Sequence, residues 1–235
     1  MTEGLLYTFR RCPYAMRARI ALAAAEFEPE VREIVLARKP ESFLALSPKG
    51  TVPVMRTREG RVLEESLDIV YMALETRDPR GWMATARQYG SVADELIANN
   101  DGPFKRHLDR YKYTTRYDDA DRDSEYREAC ACLQPLEDRV ASHGHLLSDA
   151  ESVADVTIWP FVRQFANVEP DKFAARFPGL ERWRQRGVAD GRLGRWRSSG
   201  QQVVAVHRGH TAGQPEPHLG PVFEEIFDGD VPEVL

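Results

Sequence analysis

Apolar positions along this chain follow a strand-like pattern first and a helical one later. Leu5-Leu6-Tyr7-Thr8-Phe9 is a short apolar run rich in aromatics and reads as a buried strand. From residue 13 to about 26 the apolar positions Met16, Ile20, Ala23 and Phe27 recur at helical spacing, with Arg17 and Arg19 between them. Residues 31–36 read as the next strand and 40–46 as a short helix. Pro53-Val54-Met55 and Arg61-Val62-Leu63 form a hairpin around Glu59-Gly60. Residues 66–75 follow as a helix that Ser66 can cap. The expected order over the first 77 residues is β-α-β-α-β-β-α.

The texture then changes. Arg77-Asp78-Pro79-Arg80-Gly81 is a polar turn cluster, and a linker is expected at 78–82. Beyond it the patterns are helical: 84–99, 103–113, a helix that follows the charged stretch 118–123 and runs to about 142, then 153–165 and 180–188. The expected division is a first domain over 1–77, an all-helical domain over 83–200 and an extension over 201–235. In the extension, 209–221 is rich in Gly, Pro and His, and no Lys or Arg occurs from Glu216 onward. Val222, Phe223, Ile226 and Phe227 stand within that acidic stretch, which reads as a frayed tail or as a short amphipathic segment that docks.

Composition narrows the classes. With 42% hydrophobic and 29% charged residues the chain is globular in type. A net charge of −5 is the wrong sign for a nucleic-acid partner. The apolar runs are too short to cross a bilayer. Met1-Thr2-Glu3-Gly4 has no basic leader, so a cytoplasmic protein is expected. The three cysteines, Cys12, Cys130 and Cys132, fit a reducing compartment better than a disulfide framework. Cys130 and Cys132 point to different faces of a helix and read as small, partly buried residues. His207, His210 and His218 are irregularly spaced with no cysteine nearby, so no metal site is expected.

The sharpest chemical feature is Arg11-Cys12-Pro13-Tyr14-Ala15, directly after a strand and opening a helix. Cys12 takes the N-cap and Pro13 the first helical position, where the missing N–H costs nothing. Free backbone N–H groups and the helix macrodipole favour the thiolate there, the reactive form. Arg10, Arg11 and Arg17 are candidates for added positive potential.

With the motifs that follow, this segment resembles the glutathione transferase superfamily, in particular its omega-like, cysteine-type class. The resemblance covers about the first 195 residues and is strongest in the first 77. It implies an α/β thioredoxin-like N-terminal domain plus an all-α C-terminal domain, the glutathione transferase fold. Cys12-Pro13-Tyr14-Ala15 looks like the class's active-site motif and is similar to the Cys-Pro-Tyr-Cys of glutaredoxins, with Ala15 in place of the second cysteine. Cys12 is thereby implied as a monothiol catalyst that forms a mixed disulfide with glutathione, resolved by a second glutathione. Thr51-Val52-Pro53-Val54 matches the motif in which the proline is cis and the Val52 backbone meets the cysteinyl part of glutathione. Glu65 and Ser66 match the pair that holds the γ-glutamyl end, and the positive end of a helix suits its carboxylate. Tyr14 is implied beside the ligand, and Lys39 of Lys39-Pro40 at the glycyl carboxylate. Ser152-Val153-Ala154-Asp155 resembles the family's structural capping box, without an apolar staple because Glu151 precedes it.

The resemblance makes glutathione the cosubstrate and the chain a homodimer. It places the second substrate near Phe104, His107 and Tyr111, which share a helical face that could equally be core. Two alternatives stay open. One is conjugation of glutathione to electrophiles, activated by Tyr7 or by backbone. The other is a non-catalytic binding or scaffold protein of the same fold.

Overall fold

A computed structural model describes residues 3–189 of the chain. The extension, its histidines and the last part of the expected helical domain lie outside the described residues. Strands β1 (Gly4–Thr8), β2 (Glu30–Glu33), β3 (Val54–Thr57) and β4 (Val62–Leu63) form one sheet in the order β2-β1-β3-β4. β1 lies parallel to β2 and antiparallel to β3, and β3 and β4 form the hairpin. Helix α1 (Pro13–Ala24) makes the crossover between the parallel strands, α2 (Glu41–Leu46) precedes β3, and α3 (Ser66–Thr76) follows β4.

β1 is buried on both faces, which its continuous apolar run requires. Leu6 packs with Ala18, Leu22, Ile69 and Ala73 of α1 and α3. Leu5 and Tyr7 point the other way, onto Ile34, Phe43 and Val54. β2 is shorter than expected, because Leu36 belongs to a 3₁₀ turn, Leu36–Arg38.

After residue 76 the described elements are helical: α4 (Trp82–Arg87), α5 (Val92–Asn99), α6 (Lys105–Lys112), α7 (Arg122–His143), α8 (Val153–Ala166), α9 (Pro170–Arg176) and α10 (Pro178–Ala189). The single helix expected over 84–99 is split near Gly90, whose φ of 58° is left-handed. The break expected before Pro103 does not occur. A π turn, Asn100–Phe104, carries α5 into α6 and houses Pro103. A widened turn tolerates the missing N–H and the bulk of the proline ring, which a regular turn would not.

One apolar core runs through both parts. Met16, Ile20, Val70 and Leu74 of α1 and α3 meet Trp159, Phe161 and Phe165 of α8 and Trp183 of α10. α8 begins on the expected capping box. Asp155, 0% exposed, accepts from the backbone N–H and hydroxyl of Ser152 (3.0 and 2.7 Å), from Leu146 N–H (3.0 Å) and from Trp183 Nε1 (3.0 Å). Cys130 is buried and Cys132 half-buried on α7. Among the described residues no helix is long and apolar enough to cross a membrane, and no group of three His, Cys, Asp or Glu side chains could hold a metal ion.

Candidate active site

Cys12 is the N-cap of α1, in extended conformation, with Pro13 at the first helical position. Its backbone N–H donates to Phe9 O (3.1 Å), and its carbonyl accepts the first helical bond from Met16 N–H (2.9 Å). The turn between β1 and α1 therefore fixes where the sulfur goes. The Sγ donates to Val52 O at 3.7 Å, beside the cis Val52–Pro53 bond. So Cys12, Val52 and Pro53, forty residues apart in sequence, meet at one place.

The electrostatics differ from the sequence expectation. Burial pushes the Cys12 thiol above its ordinary value, and this outweighs the N–H groups of Ala15 and Tyr14 and the charges of Arg19 and Lys105, all of which favour thiolate. The three arginines expected to assist are engaged elsewhere. Arg10 is held by Glu33 through bonds of 2.6 and 2.7 Å. Arg11 lies over the Phe9 ring at 5.4 Å. Arg17 is turned inward, 2% exposed.

Arg19 is also buried and braces the turn before Cys12. It donates to Thr8 Oγ1 (2.6 Å), Phe9 O (3.2 Å) and Arg10 O (3.0 Å). Burial pushes its guanidinium down to about 10, which leaves it cationic at neutral pH. Lys105, at the start of α6, stands 5.7 Å from the centre of the Tyr14 ring and pairs with Asp109.

Tyr14 packs edge-on against Phe161, with ring centres 4.8 Å apart, and burial pushes its hydroxyl up to about 12. Ser66 is buried but does not cap α3. Glu65 is the N-cap residue and Ser66 the first helical residue, with its Oγ accepting from Arg17 Nε at 3.0 Å. Glu65 is exposed and pairs with Lys49. Lys39 folds back over Gly50, its Nζ 3.5 Å from the place a Cβ there would occupy, at the start of the loop that leads to Pro53.

Phe104, His107 and Tyr111 are placed differently from the pocket expectation. Phe104, Leu108 and Tyr111 share one face, as their spacing requires, and that face is buried. Phe104 and Tyr111 meet Phe165 at 5.8 and 5.4 Å, and Tyr111 donates to Glu169. His107 Nδ1 is 2.6 Å from Glu125 of α7. Tyr7 lies on the α2 side of the sheet, its hydroxyl 3.1 Å from Ser42 Oγ and accepting from Arg32 at 3.3 Å. Sequence reasoning missed Arg19, Asp101 and Lys105 and misjudged Arg17. Two arginines inside the apolar run of α1 were the available signal. Asp101 gave none, because Asn100-Asp101-Gly102-Pro103 reads as a helix break.

A sheet domain with a cysteine at a helix N-terminus facing a cis-proline loop, joined to a helical domain, is the glutathione transferase fold. Residues 6–81 match the family model for the glutathione S-transferase N-terminal domain, and 124–186 match the one for the C-terminal domain. The chain belongs to the glutathione transferase superfamily. It is 26% identical over 180 residues to glutathione S-transferase omega-1 of Mus musculus, covering 76% of this chain and 73% of that one. It is 26% identical over 155 residues to the probable cytosolic glutathione S-transferase DHAR1 of Oryza sativa, 65% of this chain and 66% of that one. A solved glutathione transferase homologue from Sulfitobacter, with bound glutathione, shares the fold with a TM-score of 0.70 at 16% identity, over 86% of this chain and 100% of that one.

Proposed function

We propose that this chain is a glutathione-dependent thiol transferase, acting in the cytoplasm as a homodimer, with Cys12 as its nucleophile. The observation that carries this reading is the position of the Cys12 sulfur at the N-terminus of α1, 3.7 Å from Val52 O. In the first step the Cys12 thiolate attacks the glutathione sulfur of a mixed disulfide. An S–S bond forms between Cys12 and glutathione, the original S–S bond breaks, and the other thiol leaves as thiolate. A second glutathione, as thiolate, attacks the same glutathione sulfur and releases glutathione disulfide and the Cys12 thiolate. In sum one free glutathione thiol is consumed, the substrate thiol is released, and the mixed disulfide is exchanged for glutathione disulfide. With Ala15 in the motif there is no local resolving thiol, so the second glutathione is required.

The residues present suit glutathione as substrate. The Val52 carbonyl, beside Pro53, receives its cysteinyl backbone, and Tyr14 flanks it. Ser66 at the start of α3 takes the γ-glutamyl carboxylate, and Glu65 takes the ammonium. An exposed ion pair such as Lys49–Glu65 contributes only about 0–1 kcal/mol, so Glu65 can exchange Lys49 for the ligand. Lys39 answers the glycyl carboxylate from above Gly50. The second substrate meets Cys12 beside Tyr14 and Lys105, while Phe104 and Tyr111 support that wall from within. Protein mixed disulfides, glutathionylated small molecules and dehydroascorbate are the candidate substrate classes. Conjugation through Tyr7 is disfavoured, because its hydroxyl is tied to Ser42 on the α2 side of the sheet.

The test is a comparison of two activities on the wild-type protein. Glutathione-dependent reduction of a small mixed disulfide should proceed at least about a hundredfold faster, in kcat/KM, than conjugation of glutathione to an aryl halide. Faster conjugation than reduction would replace this reading with hydroxyl- or backbone-activated conjugation.

A further inference from the structure

One side of α6 takes no part in the core or in the thiol chemistry above. α6 runs from Lys105 to Lys112, with Leu108 and Tyr111 buried. Lys105, Asp109 and Lys112 fall on a different side, because residues four and seven apart share a helix face. Lys105 marks where that side looks. It stands 5.7 Å from the ring centre of Tyr14, and its charge favours the Cys12 thiolate. Lys112 lies on the same side, about 10 Å further along the helix axis. It is exposed there, as is Arg116 in the turn Thr114–Arg116 that follows. Both stand over the half-buried Tyr113 ring, Lys112 Nζ 4.7 Å and the Arg116 guanidinium 4.4 Å from its centre.

The charge at this corner is not balanced locally. Residues 105–117 hold five Lys and Arg and one carboxylate, Asp109, in a chain of net charge −5. The nearby carboxylates are engaged. Asp109 is held by Lys105, Asp101 by both terminal nitrogens of Arg17 at 2.8 and 2.7 Å, and Asp119 by Arg110. Among the described residues Lys112 is paired with no carboxylate. The face of one ring thus holds two like charges close together, and such a surface favours an anion as its occupant. Distance narrows the kind of anion. A small thiol reacting beside Lys105 does not span about 10 Å. An extended peptide advances roughly 3.3–3.6 Å per residue, so a side chain three residues from the reacting sulfur does.

We propose that Lys112 and Arg116, over Tyr113, form a recognition surface for an acidic residue about three positions from the reacting cysteine of a protein mixed disulfide, so that glutathionylated proteins with acidic surroundings are the favoured second substrates. The proposal rests on the thiol-transfer reading above. The test uses the full chain and three heptapeptides with a central glutathionylated cysteine and Glu, Gln or Lys three positions away on both sides. At low ionic strength the wild type should show a kcat/KM about fivefold higher for the Glu peptide than for the Gln peptide, the upper end of what one exposed ion pair supplies, and lowest for the Lys peptide. Lys112→Gln/Arg116→Gln should bring the Glu-to-Gln ratio to about one, and Lys112→Glu should invert it. Each ratio is taken within one protein, so a general loss of fold or of Cys12 reactivity cancels. At about 0.5 M salt the wild-type preference should fall below about twofold, since the screening length shrinks to about 4 Å. The same peptides with an iodoacetyl group in place of the disulfide alkylate Cys12 directly and read the preference without glutathione. Equal rates for the Glu and Gln peptides in wild type, or a preference that survives Lys112→Glu, would overturn the proposal. A preference in alkylation with no turnover of any disulfide peptide would overturn the catalytic reading and leave this surface standing, and no reaction of either kind would overturn both.

Discussion

Replacing Cys12 with serine is expected to lower glutathione-dependent reduction of a mixed disulfide by at least about a thousandfold, to the uncatalysed background. A hydroxyl fits within the space of the thiol at the N-cap of α1. It cannot form an S–S bond, so the intermediate is lost while the site is kept. Neither remaining cysteine takes its place, since Cys130 and Cys132 lie in the interior of α7 and not at the N-terminus of a helix. The pH dependence follows from the sign at Cys12. Burial places the thiol above its ordinary value, so the protonated form dominates at neutral pH and the rate of the first step should climb as pH rises into the alkaline range. Turnover retained in Cys12→Ser would move the chemistry to another group.

Asp155→Ala is expected to destabilise the fold by roughly 3–5 kcal/mol, the usual cost of removing one member of a buried charged network. The carboxylate is fully buried and accepts from Ser152 N–H, Ser152 Oγ, Leu146 N–H and Trp183 Nε1. Truncation strands these donors away from water, each at about 1–3 kcal/mol before relaxation. For a chain of this size the melting temperature should fall by about 10 °C. The loss is greater than that of a single cap, because Asp155 also ties the start of α8 to α10 and to the segment before it. A thermal melt of the two proteins checks it. A shift under about 2 °C would mean that these bonds are not made in solution.

Much of the fold was legible because the sheet domain's strands are short apolar runs bounded by turn residues. Leu5 to Phe9 and the Glu59-Gly60 hairpin show their structure locally. The Asn100–Phe104 turn was not legible. Gly102-Pro103 carries a strong helix-breaking signal, and only packing of α5 and α6 against α7 and α8 carries the helix through it. Arg17 was misjudged and Arg19 missed for a related reason. Charged residues at helical spacing usually mark a solvated face, but here a carboxylate of the helical domain receives Arg17, and a hydroxyl and two carbonyls receive Arg19. In the candidate site, the place of Cys12 at the start of α1 was readable from its position between strand and proline. The partner of Ser66 was not, because it depends on Asp101, far along the chain. Periodicity grouped Phe104, His107 and Tyr111; Phe104 and Tyr111 turn into the core while His107 pairs with Glu125, and periodicity alone does not say whether such a face meets a ligand or the core.

The central claim is that the Cys12 sulfur itself exchanges with a disulfide. The most direct measurement is incubation of the full chain with glutathione disulfide, followed by peptide mapping in a mass spectrometer without reductant. The account predicts one glutathione adduct per chain, on the peptide carrying Cys12, removed by added reduced glutathione. An unmodified Cys12, with the adduct on Cys132 or absent, would contradict it.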